Sequence, residues 1–259
     1  MIGGEAARKE KKPVTVDILG VSFSTLDFAE TVQHLAEVIK QKRVYHVVTA
    51  NPEIVMAART MPEFAAVLRT VDLITPDGTG IVWAAQYLNK PVKQRVPGYD
   101  LLHALMSEAD KHHWRVFLLG ASEEINRSAY ERLAAQYPGA KLVGRHHGYF
   151  RTEEEGAILE SIERARPDLL FVGLGAPRQE IWISRHRSRL NVPVMMGIGG
   201  SLDVLAGKLK RAPKAWQRLR IEWLYRLLQQ PSRWRRMLAL PKFVFAVRQI
   251  KLINFRKKV

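Results

Sequence analysis

Four short loops, each following an apolar run, hold the residues of this 259-residue chain that are equipped for chemistry. They are Thr49-Ala50-Asn51-Pro52-Glu53, Thr75-Pro76-Asp77-Gly78-Thr79-Gly80, Gly173-Leu174-Gly175-Ala176-Pro177-Arg178-Gln179-Glu180 and Gly197-Ile198-Gly199-Gly200-Ser201-Leu202-Asp203. Asp77 is the sharpest candidate. Pro76 and Gly78 force a tight turn around it, and a carboxylate held there can take the proton of a substrate hydroxyl. The same residue also fits a simpler role, capping a helix that starts near Thr79, and both readings stand. Thr49 and Asn51 can hydrogen-bond a sugar or a reacting group, although Asn-Pro after a strand is also ordinary helix-start chemistry. Gln179 can read a sugar or a base edge, or lie solvated in a first helical turn. Gly199, Gly200 and Ser201, with Asp203 in the same loop, can bring backbone N–H groups to a diphosphate. The glycines can equally serve close packing.

Several chemistries are excluded by what is missing. There is no cysteine, hence no disulfide framework, thiolate zinc site or Cys nucleophile. No G-x-x-x-x-G-K-[ST] occurs, and no G-x-G-x-x-G follows the first strand. No Asp-x-Asp pair is present to bridge a metal and a nucleotide diphosphate, and His112-His113 and His146-His147 are adjacent instead of at ligand spacing. Ser201 lies in no nucleophile-elbow pattern. The residues favour a metal-free transfer that uses one carboxylate base and no cofactor.

These loops need a scaffold, and the pattern between them supplies one. Short β-branched runs alternate with helical periodicity: strands are expected at Val14–Val21, Tyr45–Val48, Val71–Ile74, Val116–Leu119, Lys141–Val143, Leu169–Val172 and Val194–Met196, with amphipathic helices between. The runs are apolar on both faces, as a parallel sheet covered by helices requires. The expected fold is α/β, a Rossmann-like parallel sheet sandwiched by helices. Ligands of such sheets bind at the carboxyl ends of the strands, so the four loops should converge on one edge.

The chain's end differs in kind. The whole sequence carries 41 Lys/Arg and 25 Asp/Glu, yet residues 208–259 hold sixteen of the basic residues and a single acid, Glu222. Trp216, Leu219, Trp223, Leu224, Leu227 and Leu228 make one apolar helical stripe that Pro231 ends, and Leu240, Phe243, Val244, Val247 and Ile250 make another. These are basic amphipathic helices, suited to an anionic membrane surface. A Lys/Arg-rich, Trp-bearing end also fits a nucleic-acid-binding protein, or a helix packed on its own body with solvated arginines. The continuous apolar stripe favours membrane over nucleic acid. No run approaches the ~20 apolar residues of a spanning helix, and Met237–Phe255 is interrupted by Pro241, Lys242, Arg248 and Lys251. The expected organisation is a disordered basic tail over 1–13 that is neither signal nor anchor, a catalytic domain over 14–207, and a membrane-associating helical appendage over 208–259.

The ordered loops resemble the bacterial WecG/TagA/CpsF glycosyltransferases from about Val14 to Phe243. Beyond the four loops, the resemblance rests on Arg95-Val96-Pro97-Gly98-Tyr99-Asp100, His147-Gly148-Tyr149-Phe150, Lys210-Arg211-Ala212-Pro213 and Glu222-Trp223-Leu224-Tyr225-Arg226. It implies an inverting, metal-independent transfer of N-acetylmannosamine from a UDP-sugar donor, UDP-ManNAc, to the 4-hydroxyl of GlcNAc on undecaprenyl diphosphate, in wall teichoic acid-type synthesis. Asp77 matches the family's base; Thr49, Asn51, Arg95 and Gln179 match its pocket; Arg226, Arg233 and Arg236 match arginines that close over the site at the membrane. It also implies a cytoplasmic enzyme held peripherally on the inner face of the cell membrane. Relatives with similar loops transfer other hexoses in capsule or exopolysaccharide synthesis, and a homo-oligomer in equilibrium with the monomer stays open.

Overall fold

The computed structural model describes residues 13–219 and 221–256. The basic tail expected over 1–13 lies outside these residues except for Pro13. The chain opens on an antiparallel hairpin, β1 (Thr15–Ile18) and β2 (Val21–Ser24). A single strand over Val14–Val21 was expected, and the hairpin corrects this. Leu19 and Gly20 both adopt positive φ, 56° and 87°, so the chain reverses in a two-residue turn whose twist suits a hairpin. Leu19 is not a residue that advertises such a turn.

The main sheet has six strands: β3 (Tyr45–Ala50), β4 (Leu73–Pro76), β5 (Arg115–Gly120), β6 (Lys141–His146), β7 (Leu169–Gly173) and β8 (Val194–Gly197). Their order is β4-β3-β8-β7-β5-β6, and every pairing is parallel. The architecture is the expected Rossmann-like α/β sandwich. Alternate residues feed opposite faces. Val47, Leu118, Phe171 and Met196 enter one core, beneath helices Phe28–Lys40, Gly98–His112 and Glu123–Gln136. Val48 and Ile74 enter a second, and Phe117, Leu170 and Met195 a third, on the opposite side. Burial of these fully enclosed side chains supplies the main drive to fold, at ~25 cal/mol per Å² of apolar surface.

The four loops follow β3, β4, β7 and β8, which are the four contiguous strands at one side of the sheet. Helix Pro52–Thr60 starts directly from the first loop, with Asn51 as its cap and Pro52 at a position where a missing N–H costs nothing. Helix Thr79–Tyr87 starts from the second.

The basic end is not one continuous stripe of helix. It divides into Lys214–Arg218 and Glu222–Gln229, then, past Pro231, a long final helix, Ala239–Arg256. The Trp216 and Tyr225 rings meet edge to face at 5.4 Å across the break. Helix Glu222–Gln229 buries no residue fully, and Leu219, Trp223, Leu228 and Trp234 remain exposed. The final helix behaves differently: Phe243, Ala246 and Val247 are buried in the same core as Val48 and Ile74. It packs on helices Pro52–Thr60 and Thr79–Tyr87, the two that spring from the candidate loops. Among the described residues, no helix is long and apolar enough to cross a membrane.

Candidate active site

A cavity of about 570 Å³ lies at the carboxyl ends of β3, β4, β7 and β8, roofed by the basic end of the chain. Of the residues singled out in the sequence, Thr49, Asn51, Asp77, Arg95, Gln179, Gly199, Gly200, Ser201, Arg226, Arg233 and Arg236 all line it. Asp203 does not; it stands behind the Gly200 turn, where its charge acts on Arg226.

Asp77 sits immediately past β4, its N–H donating to the Ala50 carbonyl at 3.0 Å. It is not a helix cap: the capping position of Thr79–Tyr87 is Gly78, and no side chain caps that helix. The Asp77 carboxylate instead accepts the Gly98 N–H. Gly98 opens helix Gly98–His112 hard against Thr49, so close that a β-carbon would lie 2.6 Å from Thr49 Oγ1. Only glycine lets that helix start approach the sheet edge. Burial pushes the Asp77 carboxyl up to about 7, outweighing the downward pull of Arg95, the Gly98 N–H and Arg226, while Glu222 adds to the rise. A carboxyl poised there is a stronger base than an ordinary aspartate and is still half ionised at neutral pH.

Asn51 has both roles considered for it. Its Oδ1 accepts the Ile54 N–H at 3.0 Å as helix cap, and it also faces the cavity. Gln179 is buried, not solvated. Its Oε1 accepts from the backbone N–H of Gly175 at 3.2 Å and of Gly199 at 3.0 Å, and its Nε2 donates to Glu180 Oε1 at 2.7 Å. It therefore ties the loops after β7 and β8 together, and its amide is committed on both sides. Burial raises the Glu180 carboxyl to about 7, with the Gln179 hydrogen bond opposing the rise.

Two of the N–H groups in the glycine turn are already engaged. The Gly199 N–H is taken by Gln179, and the Ser201 N–H donates to the Ile198 carbonyl at 3.1 Å. What Gly200 gives is room: a β-carbon there would lie 2.4 Å from Arg226 Nη2. Arg226 has no ion-pair partner among the described residues, and Glu53, Asp77 and Asp203 attract it from farther off. Arg95 is paired with Glu222, and Arg233 with Glu53 at 3.3 Å. Eight basic side chains line the cavity against three acidic ones, Glu53, Asp77 and Glu222, so it suits a ligand with several negative charges.

Sequence reasoning missed Glu53 and Glu222 as partners of the arginines, and Lys210, Arg211, Arg235 and Lys242 as cavity residues. Glu222 stands out as the lone acid among sixteen bases, yet its partner, Arg95, lies outside that stretch, so composition alone does not name it. Arg211 is fixed by Asp100 at 2.7 Å and lies over the Tyr99 ring at 5.2 Å. Among the described residues, no three His, Asp or Glu side chains stand together as a metal-ligand set.

Comparison with known proteins meets this geometry from another side. The model of the Glycosyl transferase WecG/TagA/CpsF family matches residues 16–257. A protein of Bacillus spizizenii (strain ATCC 23059 / NRRL B-14472 / W23), named N-acetylglucosaminyldiphosphoundecaprenol N-acetyl-beta-D-mannosaminyltransferase, is 40% identical over 231 residues, covering 87% of this chain and 89% of its own. One of the same name from Staphylococcus aureus (strain MRSA252) is 38% identical over 238 residues, covering 91% and 93%. The match spans the sheet, the four loops and the basic end alike, and the chain belongs to the WecG/TagA/CpsF family of glycosyltransferases.

Proposed function

We propose that this glycosyltransferase moves N-acetylmannosamine from UDP-ManNAc to the 4-hydroxyl of GlcNAc on undecaprenyl diphosphate, with inversion and without a metal, in wall teichoic acid-type synthesis. The observation that carries the reading is Asp77, a partly buried carboxylate of raised basicity facing a cavity otherwise dominated by cations. The relatives' names supply the acceptor and the transferred sugar.

Asp77 takes the proton of the acceptor hydroxyl as its oxygen attacks the anomeric carbon. The bond to UDP breaks with its electron pair, and negative charge grows on the diphosphate. Arg226, seated in the Gly200 turn and without an ion-pair partner among the described residues, supports that charge, and Arg233 and Arg236 stand in the same wall. Guanidinium forks suit phosphate oxygens better than ammonium groups do. Thr49 and Asn51 orient the sugars beside Asp77. Exposed Trp223, Trp234, Leu219 and Leu228, set among lysines and arginines, hold the enzyme peripherally on the inner face of the cell membrane.

The test is UDP release from UDP-ManNAc with a short-chain polyprenyl diphosphate-GlcNAc in EDTA. Full turnover is expected. Turnover only after added Mg²⁺ overturns the metal-free step, and a preference for another UDP-hexose in the same assay reassigns the donor.

A further inference from the structure

The cavity is lined by groups of several kinds. Helix Pro52–Thr60 presents Glu53, Met56, Ala57 and Thr60 to it, a stripe at three- and four-residue spacing. At ~1.5 Å per residue, Glu53 to Thr60 runs about 10 Å away from the catalytic edge. Beside Asn51 and Asp77 the cavity is lined by Glu53, paired with Arg233, by Met56 and Ala57, and by Leu238 and Ala239 where the final helix begins, with Arg235, Arg236 and Lys242 close to them in sequence; that helix packs on Pro52–Thr60. Leu238 is 47% exposed, so this part of the lining reaches the surface, and Trp234 (54%) and Met61 (39%) are exposed close to it and to Thr60 in sequence.

We infer that the slot between Met56–Ala57 and Leu238–Ala239 binds the first isoprene units of the acceptor lipid. The inference rests on the function proposed above. Its support is the mixed lining of one cavity: polar groups at the sheet edge, cations, and apolar side chains on two packed helices, the three chemistries that the sugar, diphosphate and prenyl chain of a lipid-linked acceptor require. A UDP-sugar has no apolar portion to fill the slot. The lipid is then read by the enzyme, not merely used to hold substrate in the membrane, and the slot is a specificity element.

The experiment compares two acceptors, GlcNAc diphosphate esterified with methyl or with geranyl, both below micelle-forming concentration and without vesicles or detergent. The geranyl ester is expected to have a KM about tenfold lower or better, from apolar burial in the slot. Met56→Asp places a charge in the slot and Ala57→Phe fills it while staying apolar; both are expected to bring the two KM values within about twofold of each other. A diazirine-bearing geranyl diphosphate, photolysed with the full chain, is expected to label the peptides holding Met56 or Leu238, and this readout needs no turnover. Equal KM for the two esters on the unaltered chain, a geranyl advantage kept by both variants, or labelling elsewhere overturns the slot while leaving the transferase reading intact. No transfer to either ester overturns that reading itself.

Discussion

Arg95 on the body and Glu222 on the basic end form an ion pair at the cavity wall, and they act on the carboxylate of Asp77 in opposite directions. Arg95 draws the Asp77 proton off; Glu222, by its own charge and by occupying Arg95, keeps it on. The roof of the cavity thus helps set the strength of the base beneath it. In Glu222→Gln, Arg95 is left facing Asp77 alone. The acid limb of the kcat/KM profile is expected to move to lower pH, with kcat falling roughly tenfold because a weaker base gains less in proton transfer. Glu222→Asp is expected to restore most of the profile. A limb that stays in place separates Glu222 from the base.

The unaltered enzyme is expected to lose activity on acidification through about pH 7, the value to which burial raises Asp77. Below it, kcat/KM is expected to fall about tenfold per pH unit as the base fills with protons. The measurement is a pH series of UDP release at low substrate.

Asp77→Asn is expected to abolish turnover and at the same time stabilise the fold. In the folded protein the Asp77 carboxyl keeps its proton up to about 7, whereas the free side chain loses it near 3.8. Between those values the folded state binds more protons than the unfolded one, so this group's contribution to stability declines as pH rises through that window. Above about pH 7 the cost of the buried charge is complete, on the order of a few kcal/mol. The variant's Tm is therefore expected to exceed that of the unaltered chain at pH 8 and to approach it near pH 4. Glu180, also raised to about 7 but placed behind Gln179, adds to the same pH trend.

Gly200→Ala tests Arg226. The added β-carbon meets only the far end of a flexible side chain, so Tm is expected to hold while the guanidinium is displaced. Loss of one charge-stabilising donor predicts a fall in kcat on the order of 100-fold. Unchanged kcat removes Arg226 from leaving-group support.

Trp223→Ala combined with Trp234→Ala is expected to weaken sedimentation with anionic vesicles, as both rings are exposed beside basic residues. Binding of the unaltered chain is expected to fall as salt rises. Equal binding to neutral and anionic vesicles would leave the basic end without its proposed role.

The sheet and the site's position were legible because both follow from short-range pattern. Apolar runs on both faces mark parallel strands, and polar loops after them land at the carboxyl edge. Asp77 and Thr49 could be picked out on that basis, and Arg95 by resemblance alone. The hairpin escaped notice because Leu19 takes a left-handed conformation that its side chain does not favour. The burial of Gln179 was not legible, since nothing local shows that its amide accepts from the backbone of both Gly175 and Gly199. The pairings Arg95–Glu222 and Arg233–Glu53 join positions more than a hundred residues apart, and charge composition alone cannot assign such partners. The break between Lys214–Arg218 and Glu222–Gln229 is likewise invisible to a periodicity that runs through it.

Phe243 and Val247 give the basic end a second standing. Their burial against the helices that start after Asn51 and Gly78 makes the last helix a keystone of the very turns that hold Asn51 and Asp77. A shortened chain ending before residue 239, as one would cut to rid the protein of its sticky surface, removes a wedge from the interior along with the lid. Its inactivity would then report a loosened foundation as much as a missing roof. The cleaner surgery keeps the wedge and blunts only the outward-facing Leu219, Trp223, Leu228 and Trp234.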